Sequence, residues 1–124
     1  MPDPAVFSPE RKVSLAAAIA RLTSRSVDNA SAEVFRHGML QVRIYAPHGR
    51  DPQAPHSRDE VYVVARGRGV FVHGTRQMPV DAGDLLFAAA GEIHRFEAFS
   101  TDFAVWVFFY GPEGGERSPS PAAR

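Results

Sequence analysis

Three residues of this chain are of types that can bind a cation. In PHSRDEVYVVARGRG, residues 55–69, His56 stands four places before Glu60; in GDLLFAAAGEIH, residues 83–94, His94 closes a segment bounded by glycines. An imidazole offers a neutral nitrogen donor and a carboxylate an anionic oxygen. Two histidines and one carboxylate leave coordination positions open, an arrangement suited to iron and also used by manganese, nickel and zinc. The chain has no cysteine, which excludes disulfides, thiolate zinc sites, iron–sulfur clusters and thiol nucleophiles. It also has no nucleophile elbow, phosphate loop or paired-carboxylate pattern. RGRGVF is glycine-rich but is followed by β-formers, so no helix N-terminus stands ready for a phosphate.

The elements that must position these residues are mostly strands. Ser8-Pro9-Glu10 reads as a helix start, with Leu15, Ala18, Ile19 and Leu22 forming an apolar stripe and the helix ending near Thr23. From Ala32 the period changes to two. AEVFRHGMLQVRIYA reads as a hairpin turning at His37-Gly38, and Leu40, Val42 and Ile44 alternate with Gln41, Arg43 and Tyr45. Pro47, Pro52 and Pro55 make the next segment a loop. EVYVVA is a strand, RGRG a turn, and VFVHG the expected antiparallel partner of that strand. RQMPV, interrupted by Pro79, is an edge strand. LLFAAA, the segment after GEIH, and FAVWVFFYGP complete about eight strands, which argues for an all-β barrel or jelly roll. By alternation Glu60 shares a face with Tyr62 and Val64, and His94 with Phe96 and Ala98.

On those residues the chain resembles the cupin superfamily, and most closely its small single-domain bacterial members. His56-x-x-x-Glu60, six residues and Gly67 resemble the first cupin motif; Gly83 through Gly91-Glu92-Ile93-His94 resembles the second. The resemblance covers about residues 32–111. It implies a small cupin β-barrel (a double-stranded β-helix or jelly roll) with the N-terminal helix packed outside. It also implies a divalent transition metal (Fe, Mn, Ni or Zn) held by His56, Glu60 and His94. Two motif positions for ligands differ here: the first histidine is replaced by Ala54, and the terminal asparagine by Ala98. A water is the expected fourth group, with Gln53 the protein candidate. Ala89 stands where the family has a turn proline, which ligates nothing. Tyr62, Phe96 and Trp106 are the expected pocket walls.

These features divide the chain into an extension with one helix (1–31), the barrel (32–112) and a disordered tail (113–124). His37, His48 and His73 are assigned to exposed turns and loops without a role, and the Gln41, Arg43, Tyr45 face to a solvent-facing strand surface in preference to a pocket wall that binds an anionic group. FAVWVFFYGP is apolar on both faces, so its outer face needs cover from the helix and from a second subunit in a homodimer. Acids and bases balance at 14 each, which gives no field for nucleic acid or an anionic membrane. No apolar run is long enough for a membrane span and no signal-peptide pattern is seen, so the expected location is cytoplasmic. The expected function is binding of a metal and a small polar molecule, either by an oxygenase, isomerase or lyase or by a non-catalytic binding or sensory module.

Overall fold

The computed structural model describes residues 11–22 and 31–117. The described helix, α1, is Leu15–Ala20, an alanine-rich turn and a half capped by Ser14, whose Oγ accepts from the Ala17 N–H at 3.1 Å. Ser8 itself lies outside the described residues, but residues 11–14, expected to be helical, lie within them, and the helix starts only after Ser14. Eight strands follow among the described residues: β1 (Ser31–His37), β2 (Leu40–Tyr45), β3 (Asp59–Arg66), β4 (Arg68–His73), β5 (Arg76–Asp81), β6 (Leu85–Ala88), β7 (His94–Glu97) and β8 (Ala104–Tyr110). They form a five-stranded sheet in the order β1-β2-β8-β3-β6 and a three-stranded sheet in the order β5-β4-β7.

Alternation sorts the side chains into two cores. Tyr62 and Val64 of β3, Val105 and Val107 of β8, Phe71 of β4, Val80 of β5 and Phe96 of β7 meet in one cluster, so the two sheets face each other. Phe96 is its hub: ring centroids lie 5.1 Å from Tyr62, 5.3 Å from Phe71 and 5.0 Å from Phe103, and such tilted pairs each add roughly 0.5–1.5 kcal/mol beyond area burial. The second cluster lies outside the large sheet. There Val42, Ile44 and Ala104 pack with Ala18 of α1, while Leu15, Ile19 and Trp106 pack against its edge. The doubly apolar β8 is thus explained in part by the helix. The remaining outer surface carries Val61, Val63, Leu85, Phe87, Trp106 and Phe108 on three adjacent strands, where Leu85 and Phe87 are exposed.

One expected pairing is corrected. β4 does not pair with β3; it pairs with β5 and β7, while β3 lies between β8 and β6. The chain changes sheets at Gly67, whose φ is +77° and where a Cβ would lie 2.8 Å from Phe103 Cα. Only glycine takes that conformation at so close an approach without strain. The edge position of β5, with Pro79, is as expected. The tail also differs. Residues 113–117, expected to be disordered, fold back on the start of β3: the Gly114 N–H donates to Ser57 O at 2.7 Å and the Glu116 N–H to Asp59 Oδ2 at 2.6 Å.

Candidate metal centre

Glu60 and His94 point into the space between the sheets because each begins an inward-facing row: Glu60, Tyr62 and Val64 on β3, and His94 and Phe96 on β7. His56 comes from the proline-rich loop. A backbone hydrogen bond from the Gly91 N–H to His56 O, 2.8 Å, ties that loop to the turn before β7. Asp59 braces the same corner by accepting from the Ala90 N–H at 2.9 Å.

The three residues converge. One nitrogen from each imidazole and one Glu60 oxygen lie within 4.8 Å of one another. His94 Nε2 is 2.7 Å and His56 Nε2 3.8 Å from Glu60 Oε1. The side chains of Glu60 and His94 are 1% exposed, that of His56 37%, so the group is closed on the barrel side and open past His56.

The protonation geometry says what belongs between them. His94 Nδ1 is 2.8 Å from the Glu92 carbonyl oxygen. A carbonyl can only accept, so Nδ1 carries the hydrogen, and in the neutral ring Nε2 presents a lone pair to the Glu60 carboxylate. Neither Glu60 oxygen has a hydrogen-bond partner among the described residues. We read the 2.7 Å approach as two electron pairs in need of a cation, not as a completed hydrogen bond. An unsatisfied buried carboxylate is costly, by more than about 1–3 kcal/mol. A proton on Nε2 relieves it. Burial lowers the His94 pKa, but Glu60, the Glu92 carbonyl and the charge of Asp51 together outweigh burial and leave it raised. A divalent ion relieves it too, and the donor set of two imidazoles and one carboxylate, with one tautomer already fixed from behind, fits one.

The expected neighbours separate. Tyr62 is buried beside the site: its hydroxyl donates to Gln53 Oε1 at 2.9 Å and lies 3.0 Å from His94 Nε2. Burial, with the Glu60 charge adding to it, raises its pKa and keeps the phenol protonated. Gln53 Oε1 is also 3.4 Å from His56 Nε2, so the one amide of the loop does face the site, whereas Ala54 is exposed. The placements of Phe96 and Trp106 as pocket walls are corrected. Phe96 is sealed in the inter-sheet core and Trp106 is on the outer face. β8 is apolar on both faces, so alternation does not choose between them. The register does: Glu60 lies opposite Phe109, and the row Val105, Val107, Phe109 faces inward.

Beside the three residues lies a cavity of about 650 Å³, walled by His56, Glu60, Gln53, Val107 and Phe109. Its far side is Ser31, Arg43, Tyr45 and Arg50. Of the two readings of the polar row of β2, the pocket wall holds for Arg43 and Tyr45, which line the cavity, while Val42 and Ile44 pack with the helix. The buried Asp51 escaped sequence reasoning altogether. It accepts from the Tyr45 hydroxyl, from the Gln53 N–H at 3.3 Å and Nε2 at 2.5 Å, and from the Phe96 N–H at 2.8 Å, so one carboxylate pins the loop of Gln53 and His56 to the strand of His94. The only sequence signal was an acid inside the proline-rich loop. His73 is half-buried rather than exposed, 2.8 Å from Glu92 Oε1. That contact and the Ala89 N–H lower the Glu92 pKa and hold the turn that supplies the carbonyl behind His94.

Comparison with known proteins agrees with this fold. A family model for the cupin domain matches residues 41–110. An uncharacterised protein of Streptomyces coelicolor, SCO3923, is 35% identical over 88 residues, covering 69% of this chain and 84% of that protein. Among solved structures, a cupin 2 conserved barrel domain protein of Salinispora arenicola superposes with a TM-score of 0.61 at 16% identity, covering 82% of this chain and 88% of that one. The DMSP lyase DddQ of Ruegeria pomeroyi gives 0.60 at 19% identity, covering 68% of this chain but only 47% of the lyase. KdgF of a Halomonas species gives 0.57 at 17% identity, covering 66% of this chain and 78% of that one.

Proposed function

We propose that this chain, which belongs to the cupin domain family, holds one divalent transition metal on His56, Glu60 and His94 and binds a small polar molecule in the cavity beside it. The observation that carries the reading is Glu60: a buried carboxylate with no hydrogen-bond partner among the described residues, set against two imidazoles. Bound there, a divalent ion supplies Lewis acidity or, if it is iron, oxygen activation.

The chain's own residues do the rest. The Glu92 carbonyl keeps the hydrogen on His94 Nδ1 and frees Nε2. Tyr62 stays protonated and keeps a donor at the floor. Val107 and Phe109 form a dry wall beside the site, and His56, the exposed member, marks the open side where a ligand enters. Gln53, held by Asp51, keeps its amide oxygen 3.4 Å from His56 Nε2, where it would be at hand as a further oxygen donor.

A second reading, a binding or sensory module without chemistry, is favoured by one feature. Among the described residues, no imidazole or carboxylate apart from His56 and Glu60 lines the cavity, and the hydroxyl of the lining Tyr45 is already engaged by Asp51. In either reading we take the chain to be a homodimer, a state supported by the apolar outer strip of Val61, Val63, Leu85, Phe87, Trp106 and Phe108. Native mass spectrometry of protein purified without chelator tests both readings. The expected species carries one metal ion per chain. A copurified small molecule that is converted on incubation with the loaded protein favours the enzyme; one that stays intact favours the binder. A metal-free species that stays empty after addition of manganese, iron, nickel and zinc overturns the metal reading.

A further inference from the structure

The three candidate ligands are not held alike. Glu60 and His94 stand in the inward rows of β3 and β7, with side chains 1% exposed. His56 stands in the loop before β3 and is open to solvent on one side. Its ring meets Gln53 Oε1 at 3.4 Å, too long for a firm hydrogen bond. It meets Phe109 edge-on, with centroids 5.1 Å apart. The aim of that imidazole is therefore set mainly by its backbone.

The backbone on the β3 side of His56 is tied by the segment that follows β8. The Gly114 N–H donates to the carbonyl of Ser57, the residue after His56, at 2.7 Å. Arg58 Nε donates to Gly111 O at 2.9 Å. The Glu116 N–H donates to Asp59 Oδ2 at 2.6 Å, and Asp59 Oδ1 accepts from the Ala90 N–H at 2.9 Å. Asp59 is buried. Its two oxygens thus join the tail to the turn before His94, and the same turn reaches His56 O through the Gly91 N–H. Positions 57, 58 and 59 are each bonded to residues 111–116, and positions 56 and 59 to residues 90–91.

The tail lies directly on the corner it holds. Gly115 has a φ of +92°, and a Cβ there would lie 2.8 Å from Asp59 Oδ1 and 3.1 Å from Ala90 Cβ, so a residue with a side chain would be both strained and in the way. Its N–H closes a turn on Pro112 O at 3.0 Å. Pro112, Glu113, Gly114 and Glu116 are exposed. A segment that buries so little apolar surface opens at less cost than the barrel strands unfold.

We propose that residues 111–116 form a clasp for the metal centre. By holding Ser57, Arg58 and Asp59 the clasp positions His56, the ligand carried on a loop, and it sets the rate at which a bound ion leaves through the open side. With the clasp shut three donors face the ion; with it open His56 is free to swing away and two remain. The effect on an ion rests on the metal reading; the hold on the loop does not.

The test is Gly114→Pro in the full chain. Proline lacks the N–H that Ser57 O accepts and cannot take the φ of +87°, while no atom lies within 4 Å of the place a Cβ would occupy. Nickel affinity and release are followed by chelator competition. Loss of a group that orients a ligand costs roughly 10–100-fold in metal affinity, so the variant is expected to bind nickel about tenfold more weakly or worse, through faster release. Unchanged affinity and release overturn the proposal. The second readout, on the metal-free chain, is hydrogen exchange of the Ala90 and Gly91 amides, whose acceptors are Asp59 and His56. Both are expected to exchange about tenfold faster or more in Gly114→Pro, with the amides of the β3–β8 ladder unchanged. Parental rates at Ala90 and Gly91, or an equal rise across the ladder as a merely structural tail would give, overturn the proposal. Gly115→Ala is expected to reproduce both effects and Glu113→Ala neither; a Gly115→Ala chain that matches its parent in both readouts also overturns it. If the parent takes up no nickel, the metal reading falls by itself, and the exchange of Ala90 and Gly91 decides whether the clasp holds the loop.

Discussion

Asp51→Asn is the substitution for which the structure gives the most detailed expectation. Every partner of the Asp51 carboxylate is positioned to donate. Oδ1 takes the Tyr45 hydroxyl and the Gln53 N–H, and Oδ2 takes Gln53 Nε2 and the Phe96 N–H. Asparagine keeps the shape but turns one oxygen into an NH₂ that faces donors. If the amide nitrogen replaces Oδ2, the Phe96 N–H loses its acceptor inside the core, and Gln53 must flip, which turns Nε2 toward His56 and Tyr62. If it replaces Oδ1, the Tyr45 hydroxyl can rotate and accept, and only the long 3.3 Å bond to the Gln53 N–H is lost. The second arrangement is the cheaper one. It still exchanges charge-assisted bonds for neutral ones and leaves one donor unmet, about 1.5–3 kcal/mol in all. For a domain of this size that is a fall in Tm of roughly 5–15 °C. Asp51→Ala, which strands the donors on both oxygens, is expected to cost more. The assay is urea and thermal unfolding followed by circular dichroism, on the metal-free and the metal-loaded chain. Asp51→Asn within about 0.5 kcal/mol of the unsubstituted protein, the range of an ordinary surface change, would refute the assignment of Asp51 as the buried anchor of the loop.

Other outcomes follow from the site and the sheet. His94 has a raised pKa in the metal-free fold; its contribution to folding is therefore complete below the ordinary value of 6.5 and is lost as pH rises through the higher folded value. Metal needs the neutral ring, so affinity should rise through the same window, by about a decade per pH unit below that pKa; affinity measured by chelator competition that stays flat from weakly acid to neutral pH would count against His94 as a ligand. Ala54→His is expected to leave metal affinity nearly unchanged, because residue 54 is exposed and Gln53 is the loop side chain that faces the site; a large gain by the same competition would show that the loop rearranges. If the proposed dimer forms through the outer strip, Phe87→Asp is expected to turn it into a monomer in light scattering while metal uptake is retained, since Phe87 sits on that strip beside Val61; a dimeric mass in the variant would contradict that contact.

Much of this was legible in the chain itself. Period-two alternation put Glu60 and Tyr62 on one face and His94 and Phe96 on another, and both rows are buried as that pattern requires. Alternation states which residues share a face and not which face is inside. β8 and β2 show the gap: Trp106 and Arg43 each exchanged sides with respect to expectation, because the inner side is set by pairing of β8 with β2 and β3, and that is a long-range fact. The β3–β4 hairpin failed for a related reason. RGRG is a sound turn signal, yet the close packing of Gly67 on Phe103 sends the chain to the opposite sheet. Asp51 was illegible because its four hydrogen bonds join a loop to residues up to 45 positions away. Gln53 ranked behind a water as the fourth group, because strand alternation gives no reason for its amide to face the site; a loop pinned by Asp51 obeys no such alternation.

Metal binding measured side by side in the unsubstituted chain and in Glu60→Gln tests the central claim most directly. Glu60→Gln keeps the volume and removes the one anionic donor of the group. It also removes the buried carboxylate that lacks a hydrogen-bond partner among the described residues. Elemental analysis after equilibration with manganese, iron, nickel or zinc should find one ion per chain in the unsubstituted protein and a sharp loss in Glu60→Gln, while the metal-free Glu60→Gln protein unfolds no more easily than its parent. No metal in the unsubstituted chain, or equal uptake by both, would contradict the account.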